Sequence, residues 1–358
     1  MLCMIPVLIF VAIGAAGVFA GSDCPPRVDV YPCICINTKL TGKRHPSTTL
    51  ICQGLRKTDE LGAILYVLKD LEIDKFVMYD SFWEAQQLGA TGDSQSVLPN
   101  NWLTLTTIKE VEIVDSTLSP CFACSMSLMC RNSVTTSFKV VNSSSSDKIC
   151  TLCNTGSGGR LPWMGCLTKL EHFQLTQGGL KSITADFFSL TLRQLKILDL
   201  SYNRISKIDS NVFRNVPNLK SLDLSHNAID RIDNTFGSST NLEYLDLSYN
   251  ALKVIGSNLV PLMPKIKSLN FAYNQITDLK ERDWSSKPEK LFKIDLRGNL
   301  INCDCSIKWV NSTFEVGVNI IGNCGKPDEY KQSRIRPASR HLIERCDANG
   351  NIGVRRKN

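Results

Sequence analysis

Histidine is scarce in this 358-residue chain: only His45, His172, His226 and His341 occur, spread from one end to the other. No Gly-x-Ser-x-Gly, His-Glu-x-x-His, phosphate-binding loop or dinucleotide fingerprint is present. The nucleophilic, zinc-hydrolytic and nucleotide-dependent chemistries that those patterns serve have no foothold. The chain reads as a non-enzyme with no cofactor. Basic runs interleaved with aromatics are also missing, and the net charge of +7 is dispersed, which argues against nucleic-acid binding. Past residue 20 no stretch is long and apolar enough to span a bilayer. The ending Arg355-Arg356-Lys357-Asn358 carries no lipid-anchor signal.

Charge is absent from residues 1–20, which are almost wholly apolar. Ile5 to Val18 is short for a spanning helix, and Val18 and Ala20 are small residues where a signal peptidase reads. Residues 1–20 are therefore read as a signal peptide, with the mature chain starting at Gly21 and secreted to the extracellular space. The missing positive residue near the start leaves a short membrane anchor as the competing reading. Of 15 cysteines, Cys3 leaves with the signal; the other 14 fall into clusters of four, six and four. Even clusters in a secreted chain read as disulfides, with zinc as the alternative.

What the chain has in quantity is one pattern. LKILDLSYNRI (195–205) returns as LKSLDLSHNAI, LEYLDLSYNAL, IKSLNFAYNQI and LFKIDLRGNLI. Its asparagines fall at Asn203, Asn227, Asn250, Asn274 and Asn299, a step of 23 to 25 residues. Period and pattern match the leucine-rich repeat, in which each unit adds a short strand to a parallel sheet. Alternate apolar residues point inward, and the asparagine bonds turn backbone that would otherwise be buried unpaired. Upstream, weaker copies place Ile73, Phe76, Met78, Ser81 and Trp83, then Ile108, Val111, Ile113, Ser116 and Leu118, then Phe138, Val140 and Ser143 on the template. In these, serine stands where asparagine is expected. LEHFQLTQGGL, with Leu170, Phe173, Leu175 and Leu180, leads into the clear repeats. Before them, Leu61, Ile64, Leu65 and Leu68 form a helical stripe that packs on the first coil.

The expected fold is an α/β leucine-rich repeat solenoid of about nine coils, its concave face a curved parallel sheet. Its domains run as a cap over 21–60, repeats over 61–301 with a Cys-rich insertion at about 119–166, a second cap over 302–346 and a basic polar tail over 347–358. The insertion holds Cys121, Cys124, Cys130, Cys150, Cys153 and Cys166. Its two Cys-x-x-Cys pairs, 25 residues apart, also have zinc-ribbon spacing. Asn142 and Asn311 begin glycosylation sequons.

The first cluster (Cys24, Cys33, Cys35, Cys52) resembles the N-terminal cysteine cap of extracellular leucine-rich repeat proteins. That resemblance implies Cys24–Cys35 and Cys33–Cys52. NLINCDCSIKWV, with Cys303, Cys305 and Trp309, then Cys324 and Cys346, is similar to the C-terminal flank of Toll-type receptors and many secreted repeat proteins. It implies Cys303–Cys324 and Cys305–Cys346, with Trp309 packed on the last coil. CPPRVDVYPCIC and the IDKF and IKEVEI segments resemble a group of arthropod secreted proteins that includes the non-catalytic subunit of a shrimp luciferase. That resemblance implies a partner-binding role without chemistry.

Residues between the buried leucines are expected on the concave face. Three columns result: Ile197, Ser221, Tyr244, Ser268, Lys293; Asp199, Asp223, Asp246, Asn270, Asp295; and Ser201, Ser225, Ser248, Ala272, Arg297. Tyr202, His226, Tyr249 and Tyr273 run beside them. Tyr244, Lys293 and Arg297 are the candidate protein-binding anchors, because aromatic and arginine side chains commonly anchor interfaces. Asp199, Asp223 and Asp246 are either a site for a cation or basic partner, or repeat consensus. Two functions remain open: a secreted scaffold holding a secreted or cell-surface protein, including an accessory subunit; or a matrix, adhesion or innate-recognition module, including a soluble Toll-like ectodomain. The oligomeric state is not legible.

Overall fold

The computed structural model describes residues 23–39, 45–82, 103, 106–118, 134–145, 167–184, 187–188, 191–232, 235–237, 241–256, 259–284, 288–314, 317–347, 350 and 352–353. One sheet runs through them. Its strands are β1 (Ile34–Thr38), β2 (Ser47–Gln53), β3 (Glu72–Tyr79), β4 (Thr107–Val114), β5 (Ser137–Val141), β6 (His172–Thr176), β7 (Ile197–Asp199), β8 (Ser221–Asp223), β9 (Tyr244–Asp246), β10 (Ser268–Asn270), β11 (Lys293–Asp295) and β12 (Asn319–Ile321). They lie in sequence order, with β1–β2 antiparallel and every later pair parallel. The nine strands β3–β11 match the expected count of about nine coils, and each cap adds a parallel strand at its end.

Register follows the pattern. Leu198, Leu222, Leu245, Leu269 and Ile294 align across β7–β11, and all are buried. The weak repeats obey the same rule, with Ile73, Phe76, Met78, Ile108, Val111, Ile113, Phe138 and Val140 buried. Leu61, Ile64, Leu65 and Leu68 are buried on or just after the helix Thr58–Val67. Trp83 and Cys121, Cys124, Cys130, Cys150, Cys153 and Cys166 lie outside the described residues.

Strand length divides the molecule into two halves, and one side chain explains it. In the clear repeats Asp199, Asp223, Asp246, Asn270 and Asp295 each accept the backbone N–H two residues on, at 2.8–3.2 Å. That bond turns the chain out of the strand, so these strands are three residues long. The aligned residues upstream are Val77, Glu112, Lys139 and Gln174, and there each strand runs two residues further. The turn also corrects the third column. Ser201, Ser225, Ser248 and Ala272 are covered rather than exposed, at 5%, 7%, 5% and 2%. Only Arg297 of that column reaches solvent.

Disulfides close both ends: Cys24–Cys35, Cys33–Cys52, Cys303–Cys324 and Cys305–Cys346. These are the pairs that the resemblance to capped repeat proteins implies. Trp309 is buried against Trp284 and Phe314, and its indole N–H donates to Leu279 O at 3.4 Å. The start of the C-terminal tail folds back, with Arg345 donating to Gly353 O at 2.6 Å.

Candidate protein-binding face

Behind the sheet, a ladder of amides fixes each coil to the one before. Asn250 Oδ1 accepts from Ile229 N at 2.9 Å, while its Nδ2 donates to Leu224 O, Leu247 O and Ser248 O. Asn203, Asn227, Asn274 and Asn299 repeat the arrangement. In the N-terminal half a serine does a smaller version of the same task. The Ser116 hydroxyl donates to Val114 O and accepts from Ser81 N; the Ser143 hydroxyl donates to Val141 O and accepts from Ser116 N. Between the halves the position falls to Gly178, whose N–H bonds Asn203 Oδ1 at 3.1 Å.

The residue preceding each ladder position is left-handed: Asp80, Asp115, Asn142, Gln177, Tyr202, His226, Tyr249 and Tyr273 have φ of 46–55°, and Gly298 of 71°. For a tyrosine this conformation costs roughly 1–2 kcal/mol. Here it swings four rings into one stack. Tyr202–His226, His226–Tyr249 and Tyr249–Tyr273 lie 4.1, 4.2 and 4.4 Å apart, within 13° of parallel. Each of the three contacts returns about 0.5–1.5 kcal/mol, so stacking offsets roughly half of the backbone strain. Tyr202, Tyr249 and Tyr273 remain about half exposed. Sequence reasoning placed these residues beside the columns but missed the stack. Its signal was an aromatic immediately before the ladder asparagine in four successive repeats. The buried phenylalanine pair, Phe213 stacked on Phe236 at 5.5 Å, was also missed.

The candidate anchors differ in their freedom. Tyr244 is 43% exposed, aligned with Ile197 and Ser221, and Lys267 Nζ stands 5.8 Å from its ring. Lys293 is half-buried and 3.8 Å from the Asp295 carboxylate. Arg297 is committed: its Nε and Nη2 grip the fully buried Asp295 at 2.9 and 2.7 Å. Burial pushes the Asp295 carboxyl upward, but the Arg297 bonds outweigh it and the net shift is downward. Asp199 and Asp246 each accept from the following serine hydroxyl as well as its N–H. Asp246 also accepts from Asn270 at 2.7 Å. Burial holds the Asp223 carboxyl above its ordinary value, and the neighbouring Asp246 and Asp199 charges add to it.

His226 stands between two rings, and His172 is half-buried on β6. Among the described residues no group of three or more metal-ligating side chains gathers, and no helix is long and apolar enough to cross a membrane. Asn142 sits in the left-handed column, its Nδ2 donating to Asp115 Oδ1 at 2.6 Å. Asn311 is half-buried in the short helix Trp309–Thr313 of the C-terminal cap.

Comparison with known proteins agrees with this geometry. The leucine rich repeat family matches residues 168–229, 193–252 and 240–301, the half that carries the asparagine ladder. Among solved structures the chain is similar to one in the octameric complex of Latrophilin 3 (Lec, Olf), Unc5D (Ig, Ig2, TSP1) and FLRT2 (LRR). The TM-score is 0.52 at 16% identity, over 76% of this chain and 82% of that one. No curated protein matches the sequence. Repeat spacing, sheet register and cap bonds together make this chain a leucine-rich repeat solenoid with disulfides near both ends.

Proposed function

We propose that this protein is a secreted, non-enzymatic scaffold that holds another secreted or cell-surface protein on the concave face of its sheet. The observation that carries the reading is the exposure of Ile197 and Tyr244, 42% and 43%, in a row where register leaves large side chains uncovered. Large side chains left in water on an ordered sheet are what an interface requires. Disulfides at both ends fit an oxidising compartment. The resemblance to arthropod accessory subunits gives the finer form, a partner-binding chain within a secreted complex.

The test has two parts. Expressed in animal cells, the chain enters the medium starting near Gly21, with sugar on Asn142 or Asn311. Crosslinking in the source extracellular fluid then recovers a protein, and Tyr244→Ala weakens its binding by on the order of 2 kcal/mol, about thirtyfold. Retention as an uncut membrane protein overturns secretion. Binding unmoved by Tyr244→Ala and Lys293→Ala, but abolished by variants in 119–166, transfers the site to the insertion.

A further inference from the structure

Ion pairs hold charges at both ends of the sheet and along its flank. Lys75 meets Glu112 at 2.6 Å, and Lys109 sits between Glu72 and Asp74 at 2.5 and 2.9 Å. Along the flank Lys196 meets Glu171 and Lys267 meets Glu243, at 2.8 and 2.6 Å. In the last clear coil Asp295 is held by Arg297. Asp199, Asp223 and Asp246 stand in register on β7, β8 and β9. Their bonds come from the serines that follow them and, for Asp246, from Asn270. Among the described residues no lysine, arginine or histidine makes an ion pair with any of the three. Neighbouring strands bring them to about 5 Å spacing, where like charges oppose one another.

The ring stack borders this row, three residues further along each coil. Because the rings cover one another's faces, their edges and hydroxyls are what the ridge presents. At its far end the ridge reaches this row: the Tyr273 ring lies over Gly298, next in sequence to Arg297, whose guanidinium holds Asp295. Half-exposed rings beside carboxylates that no cation neutralises complement a chain bearing cations on apolar stems.

Resting on the concave-face reading, we infer that the partner's contact element is a cationic peptide segment. Its lysine or arginine side chains lie along Asp199, Asp223 and Asp246, with their stems against the ridge from Tyr202 to Tyr273. The protein as a whole carries +7, so the row attracts such a segment locally against a repulsive surround.

Fluorescein-labelled nona-arginine and nona-glutamate, titrated against the intact protein by anisotropy across a salt series, test this. The arginine peptide is expected to bind and the glutamate peptide not. The triple variant Asp199→Asn, Asp223→Asn, Asp246→Asn keeps the acceptors that cap the turns, and it should lose about tenfold or more in affinity with a shallower salt dependence. Tyr202→Ala with Tyr249→Ala should weaken binding several-fold. Asp230→Asn, at an exposed position off the sheet, should change nothing. Equal binding by the triple variant, no binding of nona-arginine, or preference for nona-glutamate overturns the inference. A crosslinked partner that loses affinity to Tyr244→Ala but binds the triple variant normally leaves the concave-face reading intact and removes the cationic one.

Discussion

The ring of Tyr273 lies over Gly298: a Cβ built on Gly298 meets Tyr273 Cδ1 at 2.6 Å. Gly298 is also left-handed, with φ of 71°. The ring stack therefore ends on a residue that must lack a side chain. Gly298→Ala should cost about 1–3 kcal/mol, from backbone strain plus displacement of the Tyr273 ring. Gly317→Ala, where a Cβ meets nothing within 4 Å, is the control. Denaturant melts giving equal midpoints for the two variants would refute the assigned packing.

The ladder predicts a difference between the halves. Asn250→Ala strands one N–H and up to three carbonyls, and should cost about 3 kcal/mol. Ser116→Ala removes one acceptor and one donor, and should cost about 1 kcal/mol. Comparing the two by urea unfolding checks the assignment, and an equal or reversed order contradicts it.

Core register has its own test. Leu245 is 2% exposed between Leu222 and Leu269. Leu245→Asp places an unpaired charge among them, and the expected result is no cooperative melt and no secreted yield. A variant folded at normal yield would mean the strand is out of register.

Acid should act on Asp223 and Asp295 in opposite directions. The Asp223 carboxyl is raised in the fold by burial, so its ionisation weakens the native state at neutral pH. That cost is relieved as pH falls from neutrality toward 3.8. The Asp295 carboxyl is lowered, since the Arg297 bonds outweigh burial. Its contribution is present above 3.8 and is lost as pH drops below it. Thermal scans of Asp223→Asn should show a higher midpoint than the native chain at pH 7, the gap closing by pH 4. Arg297→Ala should lower the midpoint at pH 7, with a smaller deficit in strong acid. A constant gap across the series in either variant rules out the assigned ionisation.

Much of the architecture was legible because a step of 23 to 25 residues constrains the C-terminal coils alike. Even the degenerate copies were found, since Ile73, Phe76 and Met78 keep the spacing of the core while Ser81 takes over the asparagine position. The surface was harder to read. Ser201 was expected outside because strand alternation puts it there; the Asp199 carboxylate takes both its N–H and its hydroxyl, which leaves it covered. Arg297 read as a free anchor, yet its partner Asp295 occupies a position whose burial no period reveals. The stack escaped notice because a tyrosine in left-handed backbone runs against local preference, and only contact with the next coil supports it.

The glycine at 178 has a mechanical consequence. Ser81 and Ser116 each pass their N–H to a hydroxyl one coil on, but the coil after Ser143 offers only Gly178, which has no side chain to receive it. Among the described residues the side-chain ladder breaks off there and resumes at Asn203, leaving the backbone ladder between β5 and β6 to hold the two coils. Drawn out by its two ends, the solenoid should not unravel evenly. It should part first at this seam, giving way as two blocks before either yields coil by coil.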